Sequence, residues 1–359
     1  MTNKILVINP GATSTKIAVF HDEERILQEV IEHNAADLSK FTSLMDQLPY
    51  RKELILGFLK QGGISETGFS GVVGRGGLLA PMEGGTYEVC GGMMDDLRSG
   101  RYGYHASNMG AILASEFARM SSCKAYIVDP VSTDELAPCA RISGLPEISR
   151  VGKFHALNHK AVARSVAAEM GKPYEEVRFI VAHLGTGVSV GAHMGGRVVD
   201  INDPMNEGTF SADRAGTLPS LELVGLCYSG TYTHEEMKRK LCGGSGLGAY
   251  IGTKDLREAW SMVDAGDEHV KAILEAFVYQ IAKDIGAMSA VFCGKLDRIV
   301  LTGGMAYSER LVEAIRERVD FIAPLKIVPG EEEMKALALG TLRVLRGTEK
   351  AKSYELCKH

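Results

Sequence analysis

With 359 residues, of which 45% are hydrophobic and 24% charged, the chain has a globular composition and enough length for two domains. The formal net charge of −5 gives no electrostatic reason to expect nucleic-acid or membrane partners. Seven scattered cysteines without a C-x-x-C pair argue against a disulfide framework and a zinc site. The N-terminal apolar run is interrupted too early for a signal peptide, and no run reaches the ~18 apolar residues of a membrane span. We therefore expect a soluble, cytoplasmic protein.

Short strands and helices alternate through the first half of the sequence. In chain order, the hydrophobic patterns predict strands at 4–9, 17–22 and 26–33, a helix near 51–61, a strand at 69–77, a helix at 105–120, a strand at 124–129 and a helix at 153–171. Gly171 is a residue type expected at the end of that helix.

The opening pattern returns at residues 177–203, as an apolar run, a Gly/Thr turn, a strand, a tight Gly-Gly turn and another strand. Overlaying residues 9–13 on 183–187 brings the glycines into step, although the sequence identity is low. Chance is the alternative, because glycine-rich turns between strands are common. Two such three-stranded units nevertheless suggest a duplicated fold with facing domains.

The rest of the chain continues to alternate helix and strand. A long helix is predicted at 267–293, a strand at 297–304, a helix at 308–319, a strand at 324–330 and a last helix at 331–346. The last helix begins with three glutamates, as the helix dipole favours. This alternation indicates an α/β protein.

Three glycine-rich turns, each after an apolar strand, are candidate phosphate sites. They contain Gly11, residues 185–187 and residues 303–304. Backbone N–H groups free of side-chain obstruction allow a phosphate to approach closely. The alternative for each turn is a tight connection without a ligand, and the first turn alone favours a plain hairpin and does not match a P-loop. Together, the three turns favour a nucleotide site.

Two arginines stand beside glycines or other small residues. Arg75 lies within "VGRGG" and Arg214 within "SADRAG". A solvated surface arginine is the ordinary alternative, but it seldom needs such neighbours. Because guanidinium groups bind carboxylates and phosphates bidentately, the pair could hold an acyl carboxylate and a phosphoryl group.

The histidines and one aspartate allow two interpretations. His105, His155 and His183 begin or interrupt apolar segments, and a buried structural histidine is the commoner outcome for each. His155 and His159 share a helix face, but a zinc site would need a third ligand, and none is apparent in the sequence. Asp129 ends a strand, where α/β proteins place magnesium-binding or catalytic carboxylates; a helix cap or turn residue is the alternative.

Four segments together resemble the butyrate kinases of the acetate kinase family, in the actin, sugar-kinase and Hsp70-like superfamily. They are "VINPGATSTK", "HLGTGVSVGAHMGGRVVD", "DRAGTLP" and "LTGGMAYS", and the similarity extends to "PGEEEMKALA" near the end of the chain. The resemblance implies an α/β fold of two duplicated ribonuclease-H-like domains with an interdomain cleft, the actin-like ATPase fold. It implies a first domain at 1–152, with a C-terminal helix at 331–359 packing back on it, and a nucleotide-binding domain at 153–330.

The resemblance also implies roles for individual residues. It implies catalytic roles for Arg75, Arg214, His155 and Asp129, and substrate or phosphate binding by Asn9, Ser14, Lys16, His105 and His183. It implies nucleotide binding by Gly185, Thr186, Gly187, Asp255, Arg257, Gly303 and Gly304, and metal contacts by Asp129 and Glu332, with Glu331 and Glu333 as competitors for the latter. The sequence departs from acetate kinases at Ala12, where they carry serine, and at Thr186, where they carry asparagine.

The resemblance implies a reversible reaction in which a phosphoryl group is transferred from ATP to butyrate, with Mg²⁺ as the cofactor. A carboxylate with a pKa near ~4–5 is already ionised at neutral pH and needs no general base; phosphoryl transfer needs alignment and charge neutralisation instead. An acetate, propionate or isobutyrate kinase is the nearest alternative, and a non-catalytic Hsp70- or actin-like nucleotide switch is an alternative of another class. The expected partners are a small carboxylate and ATP or ADP, neither nucleic acid nor membrane, in a homodimer or higher homo-oligomer.

Overall fold

The computed structural model describes residues 2–354, which cluster into two compact units. Of these residues, the first unit comprises 2–133 and 332–354, and the second comprises Asp134–Glu331. The chain therefore passes between the units at 133/134, whereas the expected domain boundary lay at 152/153. In chain order, the strands are β1 (Lys4–Pro10), β2 (Ser14–His21), β3 (Glu24–Glu32), β4 (Gly71–Gly74), β5 (Thr86–Glu88), β6 (Lys124–Val128), β7 (Arg178–Leu184), β8 (Val188–Met194), β9 (Arg197–Ile201), β10 (Arg298–Gly303) and β11 (Leu325–Pro329).

Helices connect and cover these strands. They are α1 (Ala35–Leu38), α2 (Leu48–Gln61), α3 (Gly91–Ser99), α4 (Asn108–Met120), α5 (Pro138–Arg141), α6 (Ala156–Glu169), α7 (Ser220–Tyr228), α8 (His234–Leu241), α9 (Gly246–Ile251), α10 (Leu256–Asp264), α11 (Glu268–Ser289), α12 (Glu309–Val319) and α13 (Glu333–Leu345). Short 3₁₀ turns lie at Met45–Gln47, Tyr174–Glu176, Ala290–Phe292 and Gly304–Tyr307.

The sheet of the first unit has the order β3-β2-β1-β4-β6-β5 within the described residues. Strands β1, β2 and β3 form an antiparallel meander, and β4 and β6 continue the sheet parallel to β1. Ile5, Leu6, Val7 and Ile8 are 0% exposed, because β1 is central and covered on both faces. The uninterrupted apolar run predicted as the first strand reflects this position.

The sheet of the second unit repeats that arrangement, in the order β11-β10-β7-β8-β9 among the described strands. Strands β7, β8 and β9 form the meander, and β10 and β11 follow in parallel on the other side of β7. The similarity of residues 177–203 to the N-terminus is therefore a repeat of strand order and direction. It matches the duplicated ribonuclease-H-like cores that the resemblance implies.

Long helices complete the core of each unit. In the second unit, α11 buries Val270, Leu274, Phe277 and Ile281 at helical spacing in one cluster with residues of β7 and β8. In the first unit, α13 packs on β1, β4 and β6. This helix spans Glu333–Leu345 and is thus shorter than the predicted segment 331–359, of which residues 355–359 lie outside the described part.

Helix α13 packs unusually close to the first sheet. A Cβ atom at Gly340 would lie 2.5 Å from a methyl carbon of Val128, so only glycine fits there.

Among the described helices, none is both long and apolar enough to cross a membrane.

In both sheets, the candidate residues follow the carboxyl ends of parallel strands. Asn9, Arg75 and Asp129 lie at the ends of β1, β4 and β6, and His183 and Gly303 lie at the ends of β7 and β10. Because parallel strands end at the same edge of a sheet, this topology brings residues that are distant in sequence together within each unit.

Candidate active site

An asparagine, an arginine and a glutamate meet at the strand ends of the first unit. Asn9 Nδ2 donates a hydrogen bond to Glu333 Oε2 at 2.9 Å. Arg75 Nη1 lies 2.8 Å from Glu333 Oε1, an ion pair that lacks the alignment of a hydrogen bond. The guanidinium nitrogen is buried and meets no hydrogen-bond acceptor in good alignment among the described residues.

This contact changes which acid of the "EEE" run is the best candidate. Glu332, the predicted metal-linked residue, is exposed and precedes α13 without making a side-chain capping bond. Glu333 is the first residue of that helix and contacts Asn9 and Arg75. Glu331 Oε1 instead lies 3.1 Å from His183 Nε2, in the second unit. A metal contact by Glu332 stays a prediction, and Glu333, one of its competitors, is the acid that meets Asn9 and Arg75.

His105 lies before α4, and its Nδ1 accepts the N–H of Ser107 at 3.2 Å. The Ser107 hydroxyl also lies 2.7 Å from this nitrogen. Partial desolvation of the ring and the charge of nearby Arg75 lower the pKa of His105. The neutral ring therefore carries its proton on Nε2, the nitrogen that faces away from Ser107.

Asp129 is almost fully buried, at 1% exposure, and its Oδ1 accepts the N–H of Gly85 at 2.7 Å. Its φ of 38° is in the left-handed region, which is uncommon outside glycine. The carboxylate thus holds the loop before β5. Its part in metal binding stays a prediction.

The first glycine turn is held from behind by an arginine that the sequence interpretation missed. Arg51 in α2 is fully buried and donates to Ser14 O at 3.1 Å and Thr15 Oγ1 at 2.8 Å. Its second terminal nitrogen donates to Ala12 O at 3.3 Å. Burial lowers the pKa of Arg51 to about 10.

The predicted side chains of that turn face different surroundings. Ser14 is half-buried, whereas Lys16 is exposed on β2, where it pairs with Asn9 across the ladder. In the turn itself, the Gly11 N–H donates to Ser14 O at 2.8 Å. The turn is therefore a true hairpin connection, as well as a candidate phosphate turn.

Two histidines stack at the strand ends of the second unit. The rings of His155 and His183 are 3.9 Å apart and 16° from parallel. His183 is buried, with Nδ1 2.9 Å from Asn158 Oδ1. His155 precedes α6, and its Nδ1 lies 2.9 Å from Ser189 Oγ.

Side chains lie close to the backbone of the turn at 185–187 at both of its glycines. A Cβ atom at Gly185 would lie 2.9 Å from His183 Nε2, and one at Gly187 would lie 2.3 Å from Arg214 Nη1. Arg214 is half-buried, and its Nη1 lies 3.5 Å from Pro204 O. The turn thus brings backbone N–H groups, a histidine and a guanidinium together.

A cavity of about 800 Å³ opens beside this turn within the second unit. It is lined by Gly185, Thr186, Ala212, Lys254, Asp255, Leu256, Arg257, Trp260, Gly304, Met305, Tyr307 and Ser308. Five predicted nucleotide-binding residues are therefore brought together, while Gly187 and Gly303 lie outside the lining. Gly303 instead makes the tight turn after β10, with a φ of 88°, where a Cβ atom would lie 2.4 Å from Leu184 O.

Asp255 and Arg257 are paired with each other at the edge of the cavity. The closest atoms are 2.6 Å apart, and Asp255 also caps α10 by accepting the N–H of Arg257. Hydrogen bonds from Arg257 lower the pKa of Asp255 to about 2. The Arg257 side chain is 91% exposed, so its guanidinium has room to turn toward a ligand.

Trp260 is the functional candidate in the cavity that the motifs did not reveal. It is the only tryptophan in the sequence, and that rarity was the one available signal. Its indole Nε1 is buried without a hydrogen-bond partner among the described residues, and Arg310 lies over its ring at 4.1 Å. An aromatic ring that lines a cavity suits a planar ligand such as a nucleobase.

The comparisons with known proteins identify a family and a fold. A model of the acetokinase family matches residues 146–330, slightly more than half of the chain. An acetate kinase from Porphyromonas gingivalis is similar over 96% of this chain and 100% of its own, with 20% identity and a TM-score of 0.78. An acetate kinase from Entamoeba histolytica is similar over 94% of this chain and 99% of its own, with 18% identity and a TM-score of 0.75.

A propionate kinase from Francisella tularensis is also similar, over 94% of this chain and 98% of its own, with 18% identity and a TM-score of 0.72. These structural similarities confirm the predicted two-sheet α/β fold, which is the actin-like ATPase fold. The family match, together with this fold, shows that the chain belongs to the acetokinase family.

Proposed function

We propose that the protein transfers the γ-phosphoryl group of ATP to butyrate, giving butanoyl phosphate and ADP in a reversible reaction. Family membership supports an ATP-dependent kinase with a carboxylate acceptor. The observation that carries the nucleotide part is the cavity of about 800 Å³, which the turn at Gly185 and the turn at Gly304 both line. Phosphates would contact the N–H groups of the first turn, and the nucleoside would lie toward Trp260.

Arg214 is the proposed stabiliser of the phosphoryl group in flight. Its guanidinium lies against Gly187, so it is already placed beside the phosphate turn. A planar fork can span two phosphoryl oxygens as negative charge redistributes over them. His155 and His183, stacked next to this turn, would supply further hydrogen-bond donors.

Arg75 is the proposed anchor for the acceptor carboxylate. Its Nη1 is paired with Glu333, a contact that would hold the guanidinium in place for a second carboxylate. Because the acceptor is ionised at neutral pH, no base has to remove a proton from it. The chain's task is alignment, which an arginine–carboxylate pair achieves well. The cleft expected between the domains stays a prediction.

Magnesium fits the proposal in one specific way. Among the described residues, no group of three histidine, cysteine or acidic side chains could hold a metal ion alone. Mg²⁺ commonly uses one or two carboxylates together with substrate phosphates and water, so Glu333 and Asp129 would suffice beside ATP. When bound, the ion would neutralise phosphate charge.

The acceptor is tested by trapping the acyl phosphate as a hydroxamate and comparing kcat/KM for acids of two to six carbons. We expect a maximum at butyrate. A maximum at acetate, propionate or isobutyrate would leave the carboxylate kinase but contradict butyrate. Hydroxamate formation from none of the acids, with ATP hydrolysis alone, would favour a nucleotide switch of the actin or Hsp70 type.

The expected homo-oligomer also stays a prediction. Helix α7 presents large apolar side chains to solvent, with Leu221 85% and Tyr228 87% exposed. Contacts between copies of the chain would remove such a surface from water.

A further inference from the structure

A continuous row of buried polar groups leads away from His155 into the second unit. His155 Nδ1 and His159 Nε2 each lie 2.9 Å from Ser189 Oγ. His159 Nδ1 lies 3.3 Å from His193 Nε2, and His193 Nδ1 lies 2.8 Å from Tyr174 Oη. Five side chains thus form one hydrogen-bonded relay from the candidate active site to the 3₁₀ turn before β7.

Two regular spacings build this relay. His155 directly precedes α6, and His159 follows it four residues later on the same face of the helix. Ser189 and His193 are four apart on one face of β8. Side chains on one face of α6 therefore hydrogen-bond to side chains on one face of β8.

The relay is dry. Ser189, His159 and His193 are 0% exposed, and Tyr174 is 5% exposed. Desolvation lowers the pKa of His159 well below its usual value, with the neighbouring histidines adding to the effect. Desolvation, helped by the charges of Lys160 and Arg164, lowers the pKa of His193 to about 3. Both rings are neutral near pH 7, so each has one donor nitrogen and one acceptor nitrogen.

Neutral rings in a row must all point their donors the same way. A phenol hydroxyl is a better donor than acceptor, and a neutral imidazole nitrogen is a good acceptor. Cations over the Tyr174 ring, Lys160 at 5.8 Å and Arg164 at 5.3 Å, strengthen the phenol as a donor. The favoured direction therefore runs from Tyr174 toward His155.

Following that direction assigns each proton. Tyr174 donates to His193 Nδ1, so the His193 proton is on Nε2 and is donated to His159 Nδ1. His159 then donates from Nε2 to the Ser189 hydroxyl, which donates in turn to His155 Nδ1. His155 must hold its own proton on Nε2.

We propose that Tyr174, His193, His159 and Ser189 are positioning residues that fix His155 in the Nε2–H tautomer. His155 then presents an Nε2–H donor toward the phosphoryl group. This last step rests on the proposed function, whereas the tautomer itself does not. A structural role alone would need only packed side chains, not a row with one direction.

Nitrogen-15 NMR on histidine-labelled protein distinguishes the two tautomers of His155, whose signals are assigned by their loss in His155→Gln. The wild type should show a protonated Nε2 and an unprotonated Nδ1. Tyr174→Phe keeps the ring but removes the donor, and His155 should then populate both tautomers. Tyr87→Phe is the matched control, because Tyr87 is equally buried, at 5%, and its hydroxyl bonds to Glu83 O in the first unit.

Ser189→Ala removes the hydroxyl next to His155, and His155 should then populate both tautomers. Ser189→Thr keeps a hydroxyl and should retain the wild-type tautomer. If Ser189→Thr does not fold, Tyr174→Phe still decides. A wild-type His155 with its proton on Nδ1, or a tautomer unchanged in Tyr174→Phe, would overturn the relay whether or not the protein is a kinase.

The catalytic consequence is measured separately. Tyr174→Phe should lower kcat about 10-fold with little change in KM, less than the 10²–10³-fold loss typical of removing a stabilising donor outright. A changed tautomer with unchanged kcat would overturn the catalytic part of the proposal. Absence of any kinase activity in the wild type would count against the proposed function and leave the NMR result intact.

Discussion

Gly187 and Arg214 are in such close contact that a side chain at position 187 would displace the Arg214 guanidinium. A Cβ atom there would lie 2.3 Å from Nη1 and 2.9 Å from Cζ of the Arg214 guanidinium. Gly187 is not among the residues with positive φ, so the requirement is for space and not for an unusual backbone. The absence of a side chain at position 187 therefore leaves room for the guanidinium beside the turn.

Gly187→Ala should consequently impair catalysis by moving Arg214. We expect kcat to fall about 10²-fold, because a displacement of about 1 Å from a reactive geometry can cost that much. Arg214→Ala should lose about 10³-fold, and Arg214→Lys should recover little because a point charge cannot reproduce the fork. Steady-state kinetics with a melting curve for each variant make the test.

Gly286→Ala in α11 is the matched control, since nothing lies within 4 Å of a Cβ atom there. It should leave both kcat and the melting temperature close to wild type. A Gly187→Ala protein that turns over normally would show that the contact does not position Arg214 for the reaction.

Trp260 provides a direct signal for nucleotide binding. As the only tryptophan, lining the cavity beside Gly304, it should change its fluorescence when ADP is added and not when butyrate is added alone. Trp260→Phe should lose the signal while calorimetry still detects binding. Saturating ADP with wild-type emission unchanged would place the nucleotide elsewhere.

Arg51 should matter for stability more than a typical arginine. Arg51→Met would leave the oxygens of Ala12, Ser14 and Thr15 without their buried donor, and we expect the free energy of unfolding to fall by about 3 kcal/mol. Arg25→Met, at an exposed position, should change it by less than about 0.5 kcal/mol. Chemical denaturation measures both. Equal effects of the two substitutions would contradict a special role for Arg51.

How far the fold could be predicted depended on how regular each segment is. The apolar run of β1 and the repeated pattern at β7 to β9 were readable, because each central strand is covered on both faces and each turn needs glycine. Residues 204–266 were not interpreted as elements, although the structure has α7 to α10 there. Much of α7 and α8 is exposed, so the sequence carries little of the periodicity that burial imposes.

The site shows a similar division. Gly185, Thr186 and Gly304 were identified by their position after strands, and they do line one cavity. The choice among Glu331, Glu332 and Glu333 could not be made from sequence, because three consecutive residues at a helix start point in different directions. Arg51 was missed although a charged residue among the apolar positions of α2 was a signal, since its partners in the first turn are oxygens of Ala12, Ser14 and Thr15, distant in the chain.

The buried histidines should make stability depend on pH. The pKa of His193 is lowered to about 3 by burial and by Lys160 and Arg164, so between that value and its ordinary value the unfolded chain binds the extra proton. The stabilisation that comes from the neutral His193 ring is therefore fully present above about pH 6.5 and is lost as the pH falls toward the lowered pKa. The slope of unfolding free energy from His193 alone approaches about 1.4 kcal/mol per pH unit near pH 5.

His193→Gln should reduce that slope between pH 7 and pH 5, whatever it does to the stability at pH 7. His21→Gln, at an exposed position on β2, is the control and should leave the slope unchanged. Denaturation curves at several pH values give the comparison. An identical slope in His193→Gln and wild type would mean that the ring is protonated in the folded protein.

The central claim is that a carboxylate oxygen attacks the γ-phosphorus of ATP. Its most direct test is phosphorus NMR of a reaction containing the protein, ATP, Mg²⁺ and butyrate labelled with oxygen-18 in the carboxylate. The account predicts an acyl phosphate resonance that carries the isotope shift of a bridging oxygen-18, and its loss in Arg214→Ala. Inorganic phosphate without an acyl phosphate signal, or an acyl phosphate whose bridging oxygen is unlabelled, would contradict it.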